Sequence, residues 1–278
     1  TGEIRIPENV SKIEEVTFFC CYNITSLILS SQVTEIERSA FYECSSLTTI
    51  SFNSNLSTIG ESAFSGCSSV RALDLPINLT TIGSNAFYEC SSVKGELVLK
   101  ENVSSIGESA FQYCSSITKL TLPEELSELS NSAFANCNNL REISFGSYLT
   151  KINENCFYKC HSLLTVNIPQ NVTTIEDGAF DDCIGMTGTL VLPNTTKTIG
   201  NCCFRNCNSL KKIEFKGDYY EFGQSAFSNC SSLEGTLTIP EKNKQLSDYC
   251  FEFCSKISDI AFPEDFGTIN PYAFRSCS

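Results

Sequence analysis

Cysteine is the residue type in this sequence whose spacing first suggests chemistry. The 278-residue chain has 17 cysteines, and twelve of them stand three residues after a phenylalanine, from Cys21 to Cys277. Such a series could form disulfides, hold zinc or supply a nucleophile. The odd count leaves at least one thiol without a partner in the chain, and one Cys per repeat does not gather the four ligands of a structural zinc site. We therefore expect a column of buried, reduced thiols, since free Cys packs as a small apolar residue.

Two other groups of side chains could carry chemistry. The single histidine, His161, directly follows Cys160, and such a pair could act as base and nucleophile. Adjacent residues in a turn usually point apart, so we expect an exposed turn histidine. Acidic residues cluster at 124–128 and 177–182 without the ligand spacing of a calcium loop, and we interpret them as solvated turns. No catalytic residue, metal site or cofactor is predicted.

The cysteine column belongs to a repeat that runs through the whole chain. Its phenylalanine recurs every 23 or 24 residues, at Phe18, Phe41, Phe64, Phe87, Phe111, Phe134, Phe157, Phe180, Phe204, Phe227, Phe251 and Phe274. A period in this range indicates a solenoid, whose coils contact mainly their neighbours. We expect residues 1–278 to form a single solenoid domain of about twelve coils. Each end breaks off within a coil, so we expect truncated ends, the alternative being ends covered by another molecule.

Each coil contains patterns for one strand, two inward anchors and one helical turn. Alternating apolar and polar residues at 47–52 are typical of a half-buried strand, and in many coils a proline one residue later ends it. The pattern predicts twelve strands in a parallel sheet, the first at 4–6 and the last at 260–262. Two anchors three residues apart follow, as at Leu56 and Ile59. Phe, Cys and Leu at intervals of three then predict a short α- or 3₁₀-helix on the convex side of each coil.

Three coils contain an extra residue, and each has a glycine just before its strand. These glycines are Gly95, Gly188 and Gly235, and Gly2 matches them at the start of the chain. Glycine adopts backbone angles that are closed to other residues, so it can absorb an insertion as a bulge. We therefore expect a bulge at the beginning of each of these strands.

The repeat resembles that of a known protein family. The pattern Ile-Gly-x-x-Ala-Phe-x-x-Cys-x-x-Leu, seen at 59–70 and 106–117, is similar to that of BspA-like leucine-rich repeat proteins. The resemblance covers essentially all of the chain and is weakest in the first copy, with Thr17 in place of Ala, and at 216–222, where we expect a distorted coil. It implies an α/β fold, a right-handed curved leucine-rich-repeat solenoid with a parallel sheet on the concave face. It also implies a surface or secreted protein of anaerobic bacteria or parasitic protists, in a family with members that act in host adhesion and matrix-protein binding.

Charge and hydrophobicity narrow the class of partner. The formal net charge is −13, which argues against nucleic acid or an anionic membrane. No apolar run approaches the roughly 18 residues that a membrane-spanning helix requires. Neither nucleic-acid binding nor membrane insertion is therefore predicted, and the expected ligand is a protein or a glycan.

Two surfaces are candidates for binding. The outward side chains of the predicted strands, which we call the strand face, are small hydroxyls and mixed charges: Thr49, Ser51, Asp74, Glu96, Lys119, Thr121, Glu142, Ser144, Thr165, Asn167, Lys212 and Glu214. The second surface, which we call the aromatic edge, follows the repeat phenylalanine and comprises Phe19, Tyr42, Tyr88 and Tyr158. Binding hot spots favour aromatic residues, but such rings also pack between coils.

Glycosylation motifs are plentiful. Asn-x-Ser/Thr occurs at Asn9, Asn23, Asn55, Asn78, Asn102, Asn171, Asn194 and Asn229. The motif would mark N-glycosylation in a secreted eukaryotic protein, but several copies also lie where a turn favours Asn for its side-chain hydrogen bonds. Both interpretations stand at this point.

These observations favour a non-enzymatic recognition or adhesion module, extracellular or on the cell surface, that binds protein or glycan through an extended surface. The alternative is a cytoplasmic scaffold or structural spacer that mediates protein–protein interaction. The expected reduced thiols suit a cytoplasmic protein better than an oxidising exterior. An anaerobic exterior would remove that objection.

Overall fold

Each coil of the chain contributes strands to a parallel β-solenoid of about twelve turns. The structure is a computed structural model and describes residues 2–277. Its strands are β1 (Gly2–Arg5), β2 (Lys12–Ile13), β3 (Ile24–Ile28), β4 (Glu35–Ile36), β5 (Thr49–Ser51), β6 (Thr58–Ile59), β7 (Thr81–Ile82), β8 (Gly95–Val98), β9 (Ser105–Ile106), β10 (Ile117–Thr121), β11 (Glu128–Leu129), β12 (Glu142–Ser144), β13 (Lys151–Ile152), β14 (Thr174–Ile175), β15 (Gly188–Leu192), β16 (Thr198–Ile199), β17 (Leu210–Phe215), β18 (Glu221–Phe222), β19 (Gly235–Thr238), β20 (Gln245–Leu246), β21 (Ile257–Ala261) and β22 (Thr268–Ile269).

The chain divides into two compact units. Unit 1 comprises Thr1–Leu126 and Ser130–Gly146, and unit 2 comprises Ser127–Leu129 and Ser147–Ser278. The strand face of unit 1 contains two parallel sheets, β1-β3-β5 and β8-β10-β12, and that of unit 2 contains β15-β17 and β19-β21. A single domain over the whole length stays a prediction.

Each sheet of the strand face begins at one of the glycines that the sequence analysis singled out. Gly2, Gly95, Gly188 and Gly235 have φ of 89°, 84°, 72° and 76°, which other residues rarely adopt. The pairing register shifts directly after each of them, so the expected bulges are confirmed. Among residues 2–277, the predicted strands near 73–75 and 166–168 are absent, and each lies in the coil before such a glycine.

Each unit also contains a second set of short paired strands, which we call the second ladder. Its strands are only two residues long and pair as β2-β4-β6-β7-β9 in unit 1, and as β11-β13-β14-β16-β18 and β20-β22 in unit 2. The second residue of these strands is the inward anchor, for example Ile59 and Ile199, both fully buried. The sequence indicated the anchors but not this ladder, because a two-residue strand is too short to show alternation.

The predicted α/β fold class is wrong, and so is the prediction of short helices on the convex side of each coil. No helix occurs among residues 2–277, and the segment around each repeat phenylalanine is a chain of overlapping turns. Ser39 and Glu43, two residues before and after Phe41, have φ of 53° and 58°, and the same two positions have positive φ in every coil. A helix cannot continue through such residues. The N–H of Phe41 donates instead to Ala63 O in the next coil, at 2.8 Å.

The core of each unit is built on the repeat phenylalanines. In unit 1, rings from Phe18 to Phe134 stack at centroid distances of 5.0 to 5.5 Å, and in unit 2, rings from Phe157 to Phe274 stack at 5.3 to 5.7 Å. The i, i+3 spacing of Phe, Cys and Leu that suggested a helix arises because each turn also advances three residues. The buried positions were therefore predicted correctly, although the backbone was not.

Candidate functional site

The cysteine column consists of free thiols, most of them buried. All seventeen cysteines are free thiols, and the column members from Cys44 to Cys254 are buried. Burial raises the pKa of Cys44 to about 11 and that of Cys137 to about 12, and it raises the pKa of Cys114 well above its ordinary value. The thiolate is the form that attacks a substrate or binds a metal. The raised pKa keeps Cys44, Cys114 and Cys137 protonated at neutral pH, which makes these three thiols weak nucleophiles and weak metal ligands.

Each column thiol has a defined hydrogen-bond acceptor. Cys67 Sγ donates to Phe41 O in the preceding coil at 3.2 Å, and the same oxygen accepts the N–H of Cys44, also at 3.2 Å. Equivalent contacts recur in both units, with Sγ–O distances of 3.1 to 3.4 Å. Cys therefore fits this position because it is small and can give its one proton to a carbonyl that faces the core.

The remaining chemical candidates do not assemble a site. The thiol of Cys160 is fully buried, whereas the next residue, His161, is half-buried. The expected solvated acidic turn is wrong for Asp181, which is only 3% exposed and pairs with Arg205. Asp177 accepts two hydrogen bonds from Asn201 in the next coil. Within the described chain, no three His, Cys, Asp or Glu residues are grouped as a metal site requires.

The strand face of unit 1 carries an ordered polar group. Glu96 on β8 accepts a hydrogen bond from Thr121 Oγ1 on β10 at 2.8 Å, and Lys119 Nζ lies 3.3 Å from the same carboxylate oxygen. The Thr121 hydroxyl and the Lys119 ammonium lower the pKa of Glu96. Strand pairing places Glu142 beside Lys119 and Ser144 beside Thr121. Side chains that the sequence placed on one face are thus neighbours on adjacent strands.

Other predicted members of the strand face are less ordered. Thr49 and Ser51 lie on β5 and are exposed, as expected. Asp74 occupies a segment without a strand, its side chain is 97% exposed, and Lys100 Nζ lies 3.8 Å away. Thr165 and Asn167 also lie outside any strand and are exposed.

In unit 2, Lys212 and Glu214 lie on β17 beside a groove of about 590 Å³. Thr236 and Thr238, which the strand alternation also places on the outward side, line this groove as well, whereas the sequence reasoning missed Lys216 and Phe262. The sequence signal that could have indicated this groove was the departure from the repeat at 216–222.

The aromatic edge is partly internal packing. Phe19 stacks on Tyr42 with a centroid distance of 4.9 Å, and Tyr88 meets Tyr113 edge to face at 5.4 Å. Tyr158, in unit 2, has the Lys159 ammonium 5.0 Å from its ring centre. The rings of the aromatic edge therefore contact other side chains of the protein in separate pairs, and these contacts do not join them into one continuous surface.

Several glycosylation motifs have a structural use. The side-chain amides of Asn55, Asn78, Asn102 and Asn171 each donate to a backbone carbonyl of the preceding coil at 2.8 to 2.9 Å. The turn interpretation of these four asparagines is therefore correct. Glycosylation stays a prediction.

Comparison with known proteins agrees with this architecture. The family model for the BspA type leucine rich repeat region, which contains six copies, matches residues 1–94, 95–189 and 186–278. A search of curated proteins found no match. None of the described residues forms a helix that is long and apolar enough to cross a membrane.

Three solved structures illustrate the similarity. A leucine-rich repeat protein from Bacteroides ovatus is 28% identical, with a TM-score of 0.89 over 99% of this chain and 72% of that chain. A T. pallidum leucine-rich repeat protein is 27% identical, with a TM-score of 0.54 over 58% of this chain and 77% of that one. A leucine-rich repeat protein from Eubacterium ventriosum, 22% identical, has a TM-score of 0.54 over 99% and 76% and shows the fold alone. The repeat pattern, the stacked cores and the family match together show that this chain belongs to the BspA-type leucine-rich repeat family.

Proposed function

We propose that this protein is a non-enzymatic recognition module that binds a protein or glycan through the strand face. The observation that carries the proposal is the group formed by Glu96, Lys119 and Thr121, with Glu142 on the adjacent strand. An interstrand hydrogen bond and an ion pair hold Glu96, Lys119 and Thr121 in place, so binding by these three loses less side-chain entropy than it would with free side chains. The buried thiols and the dispersed acidic residues offer no comparable arrangement for catalysis.

The proposed location is the cell surface or the extracellular space, where the protein would act in adhesion. The resemblance to BspA-like proteins supports this location, because that family includes surface proteins that bind host matrix proteins. The formal net charge of −13 suits a soluble ectodomain that does not adhere to anionic lipid.

The alternative is a cytoplasmic scaffold that binds other proteins through the same face. One observation favours it: all seventeen cysteines are free thiols, and disulfides are rare in reducing compartments. Mass spectrometry of the protein purified from its source distinguishes the two locations. Attached glycans or a cleaved signal sequence would show export, whereas an unmodified, fully reduced chain from the soluble cell fraction would favour the scaffold.

The function itself is tested with immobilised panels of extracellular matrix proteins and glycans. We expect a specific ligand whose affinity falls at least tenfold with Lys119→Glu. The matched control is Lys151→Glu, which makes the same charge change on the second ladder, where Lys151 Nζ lies 2.9 Å from Glu176. A ligand that binds both variants like the wild type would exclude the strand face of unit 1 as its site.

A further inference from the structure

The coil at 210–222 is built differently from its neighbours. Lys216 stands where most coils have proline, and Gly217 and Asp218 form a bend. Tyr220 is completely buried near the position where other coils have an aliphatic anchor. Its hydroxyl accepts a hydrogen bond from Gly217 N at 2.7 Å and donates to Leu192 O at 2.9 Å. The buried Tyr220 hydroxyl therefore anchors the bend in the core. This bend is the distortion that the sequence predicted at 216–222.

Ion pairs fix several charged side chains on and beside this bend, and Lys212 on β17 is an exception. Lys216 Nζ lies 2.6 Å from Glu214 Oε1, and Lys242 Nζ lies 2.5 Å from Asp218 Oδ2. Each lysine lowers the pKa of its carboxyl partner. Lys212 is close enough to contribute to the lowered pKa of Glu214, but among residues 2–277 it has no carboxylate within the 4.0 Å of an ion pair. Its ammonium group is thus available to a ligand.

The groove of about 590 Å³ lies beside this bend. This volume is within the range of about 300–1,000 Å³ that is usual for ligand sites. Thr236 and Thr238 line it from β19, and neither hydroxyl has a hydrogen-bond partner within the described part of the chain. Phe262, which is 38% exposed, lines it together with Pro240. One free cation, two free hydroxyls and an apolar surface are therefore gathered in one place.

We propose that this groove binds an extended segment of a partner protein that carries an acidic side chain next to an apolar one. Lys212 pairs with the carboxylate, the exposed ring of Phe262 contacts the apolar side chain, and Thr236 and Thr238 hydrogen-bond the segment's backbone. Phenylalanine and proline give the groove an apolar surface, which favours a peptide over a polyanionic glycan. The inference rests on the proposed function and specifies the chemistry of the partner.

The test uses a phage-displayed library of random peptides, selected on the whole chain. We expect the enriched peptides to share Asp or Glu adjacent to an aliphatic or aromatic residue. Lys212→Glu should weaken the binding of a selected synthetic peptide at least tenfold, and Thr238→Trp, which fills the groove from an exposed position, should do the same. Lys94→Glu is the matched control, because Lys94 is an exposed lysine of unit 1 and the charge change is equal. Its affinity should stay within twofold of wild type.

Three results would overturn the proposal: no enrichment, enriched peptides without an acidic residue, or equal binding to the Lys212→Glu variant. A parallel titration with polygalacturonate, an acidic polysaccharide, identifies the competing ligand class. Polysaccharide binding that Lys212→Glu abolishes, without any peptide enrichment, would replace the peptide with a glycan and leave the proposed function standing. The proposed function is contradicted by a different result: no ligand from the matrix and glycan panels binds the Lys119→Glu variant more weakly than the wild type.

Discussion

Arg205 donates two hydrogen bonds to the buried carboxylate of Asp181, from Nε at 3.1 Å and from Nη2 at 2.6 Å. The two residues hold equivalent positions in consecutive coils of unit 2, one residue after Phe180 and Phe204. Burial raises the pKa of Asp181, and the guanidinium group opposes that rise. The pair therefore ties two coils together at a position where most other coils have small or aromatic side chains.

Removal of Arg205 should destabilise unit 2. Arg205→Leu leaves the Asp181 carboxylate buried without its cation, which should lower the free energy of unfolding by about 3 kcal/mol at neutral pH. The loss should shrink as the pH falls toward 4, because the raised pKa allows Asp181 to take up a proton in the folded state. Urea unfolding at several pH values measures both effects. The double variant Asp181→Leu/Arg205→Leu should recover most of the stability, and a cost below about 1 kcal/mol for the single variant would contradict this account.

The phenylalanine stack should dominate the stability of unit 1. Phe111 is fully buried, and its ring lies 5.2 Å from that of Phe87 and 5.4 Å from that of Phe134. Phe111→Ala should cost about 3–5 kcal/mol through lost burial and the cavity that remains. Phe19→Ala, at a ring that is 47% exposed, is the control and should cost far less. Equal shifts in the urea midpoints of the two variants would mean that the stack is not the core.

The thiol column should make the protein sensitive to alkaline pH. The folded-state pKa of Cys137 is about 12, whereas an unfolded thiol titrates near pH 8.5. Stability from such a group is fully present below about pH 8.5 and is lost as the pH rises through the folded-state pKa. Each thiol whose pKa burial raises in this way should remove about 1.4 kcal/mol per pH unit in that window. Urea midpoints measured under reducing conditions should therefore fall steeply between pH 8.5 and 10.5. Constant midpoints would show that the thiols are not buried as protonated groups.

The residues with positive φ on either side of each repeat phenylalanine allow a test of the turns around it. Glu89, two residues after Phe87, has φ of 59°, which costs a non-glycine residue about 1–2 kcal/mol. Because glycine avoids that strain but gains entropy in the unfolded chain, Glu89→Gly should raise the stability by about 0.5 kcal/mol. Gln112→Gly, at a neighbouring position with negative φ, should instead lower it. Thermal unfolding of both variants measures the difference, and destabilisation by Glu89→Gly would indicate a different backbone there.

The repeat period allowed the sequence to predict the coils, the buried columns and the glycine bulges, because each depends on a residue type at a fixed interval. It could not predict the turns around Phe41. Many of the positive-φ positions in these turns are Ser, Asn or Gly, but others are Val16, Glu43 and Tyr113, so residue type alone does not mark them all. Stacking against the next coil imposes that conformation, which is a tertiary effect.

The candidate site was predictable to a similar degree. Alternation along the strands placed Glu96, Lys119 and Thr121 on one face, although the hydrogen bond between Thr121 and Glu96 required the pairing register of β8 and β10. The groove beside Lys212 was not predictable, because it depends on the buried Tyr220 that anchors the adjacent bend. A departure from the repeat marked the segment at 216–222, but the sequence alone did not show that this segment forms one side of a groove.

Carbene footprinting of the protein bound to its ligand tests the central claim most directly, because it labels exposed side chains wherever they lie. The strand-face account predicts that ligand binding reduces labelling at Lys119, Thr121 and Glu142, while labelling of Tyr88 and Tyr158 stays unchanged. Protection confined to the tyrosines, with the strand face labelled as in the free protein, would contradict it and assign recognition to the aromatic edge.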